Sequence, residues 1–156
     1  TVRSATGELT LDYGKGLLTI DAPAAQGASG ALLEAGQIEL TDLVLSSTMP
    51  LGHIVAVALD GRPLAKSQKI LLQVMSEEKA SGFRTEPVGD GAMRIVDIGQ
   101  DPWLVKELQG SVRFKRADAA RLKVTVLDFN GYPQDAVGTA AEITLRPQTM
   151  YYLVAN

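Results

Sequence analysis

The sequence contains no cysteine and a single histidine, His53, among its 156 residues. Without cysteine the chain can have no disulfide framework, no thiolate nucleophile and no cysteine-based zinc or iron–sulfur site. One histidine excludes a multi-histidine metal site and leaves only His53 as the base of a Ser-His-Asp triad. No serine lies in a Gly-x-Ser-x-Gly motif. We therefore expect no catalytic residue, and we interpret His53 as a structural residue at the start of a strand.

Strong charge of either sign and long apolar runs are also missing. Fifteen Lys and Arg stand against 18 Asp and Glu, which gives a net charge of −3. This balance provides no electrostatic basis for binding nucleic acid or an anionic membrane. A run such as residues 54–59 is far shorter than the ~20 apolar residues that cross a bilayer. The length is that of one domain, so we assign residues 1–156 to a single domain.

Short runs of alternating apolar and polar residues, separated by turn signals, fill the chain. Residues 8–12 and 17–21 predict a hairpin, and Asp60-Gly61 and Asn130-Gly131 mark two further turns. Residues 76–91 resemble a long loop, and residues 101–108 and 117–120 could each form a helical turn or a loop. We count about ten strands. They predict an all-β protein with an antiparallel β-sandwich, either jelly-roll or immunoglobulin-like.

Aromatic residues make up only 5% of the chain, but several lie at turns. Trp103, Tyr132 and Tyr13 could be exposed there, and an exposed ring can stack on the apolar C–H face of a sugar. These three residues are the candidate carbohydrate-binding residues. For Trp103 we favour the alternative, in which the ring closes one end of the sandwich. We also expect Tyr151 or Tyr152 to pack inward.

Carboxylates are numerous, and most fall at turns or on polar faces of strands. We interpret them as solvated surface charges, because no pair can be recognised as catalytic from the sequence. Asp90, Asp97 and Asp101 are close in sequence, and calcium accepts loop carboxylates. Their spacing matches no EF-hand loop, so they are weak candidates for a structural calcium site. We expect no metal ion and no other cofactor.

An ordered set of motifs resembles the β-sandwich domain found at the C-terminal end of large bacterial glycoside hydrolases, after a (β/α)8 catalytic barrel. The motifs are SATGEL (4–9), LTIDAP (18–23), AQG (25–27), ALDGRPL (58–64) with Ser67 and ILL (70–72), LDFNGYP (127–133) and MYY (150–152). They cover most of the chain in the order of that family. Each motif is a turn or a strand pattern, and none is catalytic.

The resemblance implies a non-catalytic, carbohydrate-binding accessory module of a secreted or periplasmic polysaccharide-degrading enzyme. The expected partners are a polysaccharide or oligosaccharide and the catalytic barrel of the same polypeptide, of which this chain would be one piece. Two alternatives remain open. The domain could only pack against the barrel and stabilise it, or it could be a small sandwich-fold enzyme acting on polysaccharides.

Overall fold

The chain is almost entirely β-structure in a computed structural model that describes all residues 1–156. The strands are β1 (Val2–Arg3), β2 (Leu9–Asp12), β3 (Leu17–Ala22), β4 (Ala25–Gly30), β5 (Gln37–Glu39), β6 (Leu43–Ser46), β7 (Gly52–Ala58), β8 (Lys69–Ser76), β9 (Glu78–Ser81), β10 (Arg84–Gly89), β11 (Ala92–Asp97), β12 (Gln100–Val105), β13 (Ser111–Phe114), β14 (Lys123–Leu127), β15 (Pro133–Thr139), β16 (Ile143–Thr144) and β17 (Tyr151–Ala155). A four-residue helix, α1 (Leu32–Ala35), and a 3-10 turn, η1 (Ala119–Arg121), are the helical elements.

Two antiparallel sheets of unequal size form the sandwich. The large sheet has nine strands in the order β1-β2-β3-β4-β7-β8-β17-β14-β15, and the small sheet has four in the order β16-β13-β6-β5. Both predicted hairpins are present, since β2 pairs with β3 and β7 with β8. The Asn130-Gly131 turn joins β14 to β15, which also pair. The predicted all-β antiparallel sandwich is therefore confirmed.

A core of 26 buried side chains lies between the two sheets. The large sheet contributes residues such as Ile54, Leu72 and Tyr152, and the small sheet contributes residues such as Leu45 and Val112. On the central strand β8 the buried and less buried residues alternate strictly, as they do on any strand with one face in a core. The prediction that Tyr151 or Tyr152 packs inward is confirmed, because Tyr152 is fully buried.

The count of about ten strands was too low, because three kinds of strand escape the alternation pattern. Residues 37–45 form two strands, since Leu40 and Leu43 close a turn between them with a backbone hydrogen bond of 2.9 Å. Strands such as β1 and β16 have only two residues. The third kind lies in residues 76–91, which were expected to form a loop, and in residues 101–105, which were expected to form a helical turn or a loop.

Residues 78–105 form a long two-stranded hairpin, which we call the arm. Strand β9 pairs with β12, and β10 pairs with β11 further along the same hairpin. Residues 101–108 were expected to form either a helical turn or a loop, and neither alternative describes their first part, because Gln100–Val105 is a strand that pairs with β9. A register shift between Gln100 and Trp103 accommodates Pro102, which follows a cis peptide bond. The alternation is weak here because nearly every side chain of β10 to β12 is exposed.

The large sheet has a second face that points away from the core, which we call the outer face. It consists of the outward side chains of β2, β3, β4, β7, β8, β17 and β14. Cross-strand pairing places these side chains in rows: Leu11–Leu18–Ser29–His53–Met75, Leu9–Ile20–Gly27–Val55–Gln73–Tyr151–Leu127, Ala22–Ala25–Val57–Leu71–Leu153–Thr125 and Lys69–Ala155–Lys123. Most of its members are aliphatic, so both faces of the large sheet are apolar.

Buried polar side chains fasten the loops to the two sheets. Gln26 is 1% exposed, and its amide both donates to Asp42 Oδ2 (2.8 Å) and accepts from the Asp42 backbone N–H (2.8 Å). This pair ties strand β4 of the large sheet to the β5–β6 turn of the small sheet. The next residue, Gly27, allows close approach of β7, since a Cβ there would lie 2.3 Å from the Ile54 carbonyl oxygen.

The guanidinium of Arg116 connects two parts of the chain that are about 50 residues apart in sequence. It donates to both carboxylate oxygens of Asp118, at 2.6 and 2.9 Å. It also donates to the carbonyl oxygens of Leu64 (2.9 Å) and Ser67 (2.7 Å). The Arg116 side chain is only 7% exposed, so these four hydrogen bonds replace its hydration.

The loop that Arg116 binds is also stabilised by Asp60, the aspartate of the Asp60-Gly61 motif. Its carboxylate accepts hydrogen bonds from the backbone N–H of Gln68 (2.8 Å), the hydroxyl of Ser67 (2.8 Å) and the backbone N–H of Arg62 (3.3 Å). These bonds favour the charged form and hold the pKa of Asp60 below 3.8. Asp60 therefore closes the β7–β8 loop by accepting hydrogen bonds from residues at its far end.

We predict that Arg116→Met lowers the free energy of unfolding by about 2 kcal/mol, because it leaves two inward carbonyl oxygens without a donor. Urea denaturation at neutral pH measures this loss. Arg113→Met is the matched control, since Arg113 is exposed on β13 and forms no ion pair. Equal stability of the two variants would contradict the role given to Arg116.

We predict that Asp60 contributes to stability in a pH-dependent manner. Because its folded pKa is depressed, the contribution is complete above pH 3.8 and is lost as the pH falls through the lower, folded value. Asp60→Asn removes an acceptor from Gln68, so the variant should be less stable than the parent above pH 4 and the two should converge below it. Urea midpoints measured from pH 6 downward test this, with the surface variant Asp135→Asn as the control. A constant difference at every pH would contradict it.

Candidate functional site

Trp103 lies on β12 at the base of the arm, opposite Ala80 of β9. Its side chain is 62% exposed. The favoured expectation that it closes one end of the sandwich was therefore wrong. The reason is that β12 pairs with the arm strand β9 and not with a strand of either main sheet, so the ring is carried out of the core.

A second exposed aromatic residue, Phe129, lies on the turn between β14 and β15. Asp128 forms this turn, since its Oδ1 accepts from the backbone N–H groups of Asn130 (2.8 Å) and Tyr132 (2.9 Å). Gly131 has a φ of 84°, a conformation that glycine adopts readily. The tight turn leaves Phe129 with few neighbours, and it is 76% exposed.

Trp103 and Phe129 line the same depression, which has a volume of about 380 Å³. Its floor includes Pro147 and Met150, and its polar groups include Glu107 and Gln148. The carboxylate of Glu107 and the amide of Gln148 are exposed and provide acceptors and donors next to the two rings. An apolar surface bordered by a few polar groups is the general composition of a small-ligand site. We call Trp103, Phe129, Glu107 and Gln148 the aromatic site.

Phe129 also borders a second groove, of about 530 Å³, on the outer face of the large sheet. This groove is mainly aliphatic, with Leu71, Leu127 and Leu153 in its lining. Its polar groups include Lys69 and Gln73. The aromatic site is therefore continuous with the outer face through Phe129.

The three aromatic candidates from the sequence do not come together. Tyr132 is 67% exposed and lies on the Phe129 turn, near the aromatic site. Tyr13 is 69% exposed but follows β2, near the far edge of the large sheet. Six strand spacings separate β2 from β14, or about 30 Å along the sheet. Tyr13 is therefore not part of the aromatic site.

The three aspartates considered for calcium are spread along the arm. Asp90 lies in the β10–β11 turn, Asp97 ends β11, and Asp101 is within β12. Asp97 accepts a hydrogen bond from the backbone N–H of Gly99 at 2.8 Å. The structure contains no group of three or more His, Asp or Glu side chains that could hold a metal ion. The arm therefore separates these carboxylates along its length.

His53 lies on the outer face, where its Nδ1 is 2.7 Å from the hydroxyl of Ser29 on the neighbouring strand. Both residues belong to regular paired strands, and the hydrogen bond joins two directly opposed positions. His53 forms no ion pair with an Asp or Glu. The geometry agrees with the interpretation of His53 as a structural residue of a strand.

Phe129 is the site residue that the sequence analysis missed. The available signal was its position directly before Asn130-Gly131, because a large side chain beside a two-residue turn has little chain around it to cover it. Glu107 and Gln148 gave no signal, since their approach to Trp103 depends on how the arm base meets the β16–β17 loop.

Comparison of the chain with protein-family models, with curated proteins and with solved structures gives no match. None of its helices has the length and hydropathy needed to cross a membrane. Function is therefore inferred from the geometry and chemistry of the site and from the resemblance of the sequence motifs.

We predict that Trp103, the single tryptophan, behaves in solution as an exposed ring. Its fluorescence emission should lie close to that of tryptophan in water, and acrylamide should quench it nearly as well as it quenches a free indole amide. Steady-state quenching of the native chain measures this, with the urea-unfolded chain as the reference for full exposure. A blue-shifted, poorly quenched emission would show that the ring is covered.

Proposed function

We propose that the chain is a non-catalytic accessory module that binds carbohydrate through the aromatic site, as part of a polysaccharide-degrading glycoside hydrolase. The observation that carries this proposal is the pair of exposed rings, Trp103 and Phe129, in one depression with polar side chains at its border. The ordered motifs along the chain support the assignment to such an enzyme. Secretion or a periplasmic location belongs to the same proposal.

The chemistry of the aromatic site suits a sugar chain better than a charged or wholly apolar ligand. Both rings are exposed, so each offers apolar surface to the C–H face of a pyranose. The Glu107 carboxylate and the Gln148 amide can accept from and donate to ring hydroxyls.

The motifs that the chain shares with accessory domains have structural roles here, which agrees with a non-catalytic module. Asp60 and Ser67 close the β7–β8 loop, Gln26 clamps the β5–β6 turn, and Asp128 forms the Phe129 turn. The shared residues are thus occupied in building the scaffold. Binding falls to exposed residues on its turns and on the arm.

We predict that the chain is retarded in affinity gels that contain a soluble glucan, xylan or mannan. Trp103→Ala and Phe129→Ala should each weaken binding by tenfold or more, which corresponds to about 1.4 kcal/mol per site. Tyr13→Ala is the matched control, because Tyr13 is similarly exposed but lies near the far edge of the large sheet. Isothermal titration with oligosaccharides of the retarding polymer then gives the dissociation constants.

Absence of retardation on every polymer would reject carbohydrate binding. It would favour the alternative proposal, in which the domain only packs against the catalytic barrel of the same polypeptide. The aliphatic groove beside Phe129 supports that alternative, because leucine side chains suit a protein surface better than sugar hydroxyls.

A further inference from the structure

Two apolar surfaces of the chain extend beyond the aromatic site: the outer face of the large sheet, which adjoins the site at Phe129, and the tip of the arm. Each is unpartnered within the chain. Monomeric proteins rarely expose apolar patches larger than a few hundred Å², and larger ones mark interaction sites.

The outer face is unusual in its charge as well as in its apolar character. Its outward positions from β2 to β14 contain no Asp or Glu, although the chain as a whole is acidic. Lys69 and Lys123 lie on one row of this face with Ala155 between them, which places them two strand spacings apart. Neither lysine forms an ion pair. The outer face therefore presents aliphatic side chains with two unpaired positive charges at one end.

The arm has the complementary character. Strands β10 and β11 pair only with each other, and a lone two-stranded hairpin is marginally stable in water. Met93 and Ile95 lie on one side of it, and they are 55% and 56% exposed. Glu86 and Arg94 lie on the other side, where they form an ion pair of 3.5 Å. The arm is thus amphipathic, with one apolar side and one solvated side.

The free charges of the arm are mostly negative, since Arg84 is its one cation without an ion pair. Asp90, Asp97 and Asp101 form no ion pair, and they extend from the tip to the base of the arm. An arm lying with Met93 and Ile95 on an outer face would place an excess of carboxylates opposite a face whose charged side chains are Lys69 and Lys123. The Glu86–Arg94 pair would stay in water. Apolar side chains and charges are therefore complementary between the two surfaces.

We propose that the chain forms a two-fold symmetric dimer in which the arm of each copy packs on the outer face of the other. A two-fold arrangement uses both arms and both outer faces, which doubles the buried area. This matters because a specific interface needs about 1,000 Å² in total, and one hairpin covers only part of that. The dimer does not depend on carbohydrate binding, since none of the residues that carry it (Met93, Ile95, Lys69 and Lys123) belongs to the aromatic site.

Sedimentation equilibrium of the wild-type chain, from low to high micromolar concentration, tests the proposal. We expect a defined species of twice 16.6 kDa that dissociates on dilution. The dissociation constant should rise with salt, because the lysine–carboxylate contacts are screened. A monomer over the whole range overturns the proposal, and so does open-ended aggregation without a defined dimer.

Variants separate arm exchange from simple contact between two apolar faces. The arm variant carries Met93→Asp and Ile95→Asp, and the face variant carries Lys69→Glu and Lys123→Glu. All four positions are exposed, so circular dichroism should report unchanged folds. Each variant alone should dimerise at least tenfold more weakly than the parent. Arg94→Gln is the matched control on the solvated side of the arm and should dimerise like the parent.

Mixing the two variants gives the decisive result. In a mixed dimer the intact arm of the face variant meets the intact outer face of the arm variant, so one of the two contacts is restored. The mixture should therefore contain more dimer than either variant alone. An arm variant that dimerises like the parent, or a mixture without recovery, overturns arm exchange. Retardation by polysaccharide is measured on the same variants, so failure of either proposal can be recognised separately.

Discussion

Burial of the inner face of the large sheet against the small sheet is the constraint on which the rest of the structure depends. Twenty-six side chains form this core, and they come from strands far apart in sequence, such as β4, β8, β13 and β17. At ~25 cal/mol per Å² of apolar surface, their burial is the main favourable term in folding. No disulfide assists it, because the chain contains no cysteine. The loops and the arm are therefore positioned only by how their ends attach to this core.

Buried and half-buried polar groups make those attachments. The Gln26–Asp42 pair joins the two sheets, the Asp60 carboxylate closes the β7–β8 loop, and Arg116 fastens that loop to the segment before β14. In each case a side chain satisfies backbone groups that a loop leaves without partners. This gives a physical reason for the motifs in the sequence. The motif residues fix the conformation of turns. The exposed aromatic residues on those turns are held in place by the same hydrogen bonds.

The arm and the outer face of the large sheet, which lie outside the core, carry the candidate functions. The arm leaves both main sheets at the end of β8. Trp103 and most side chains of β10 to β12 therefore stay in solvent. The outer face of the large sheet repeats the aliphatic pattern of the inner face but has no second sheet over it. Phe129 lies where the aromatic site and the outer face meet. The domain thus has two surfaces that are chemically suited to contact other molecules.

The sequence by itself determined the fold class, because period-two alternation in segments such as 111–115 and 123–126 is typical of a strand with one buried face. It also located the principal turns, since Asp-Gly and Asn-Gly adopt positive φ cheaply. It did not determine the nine-plus-four division of the strands or the arm, because pairing partners are chosen by contacts between residues distant in the chain. The exposure of Trp103 and its meeting with Phe129 were likewise decided by tertiary structure. Whether an apolar side chain is core or surface depends on which sheet covers it, and the pattern along a strand is the same in both cases.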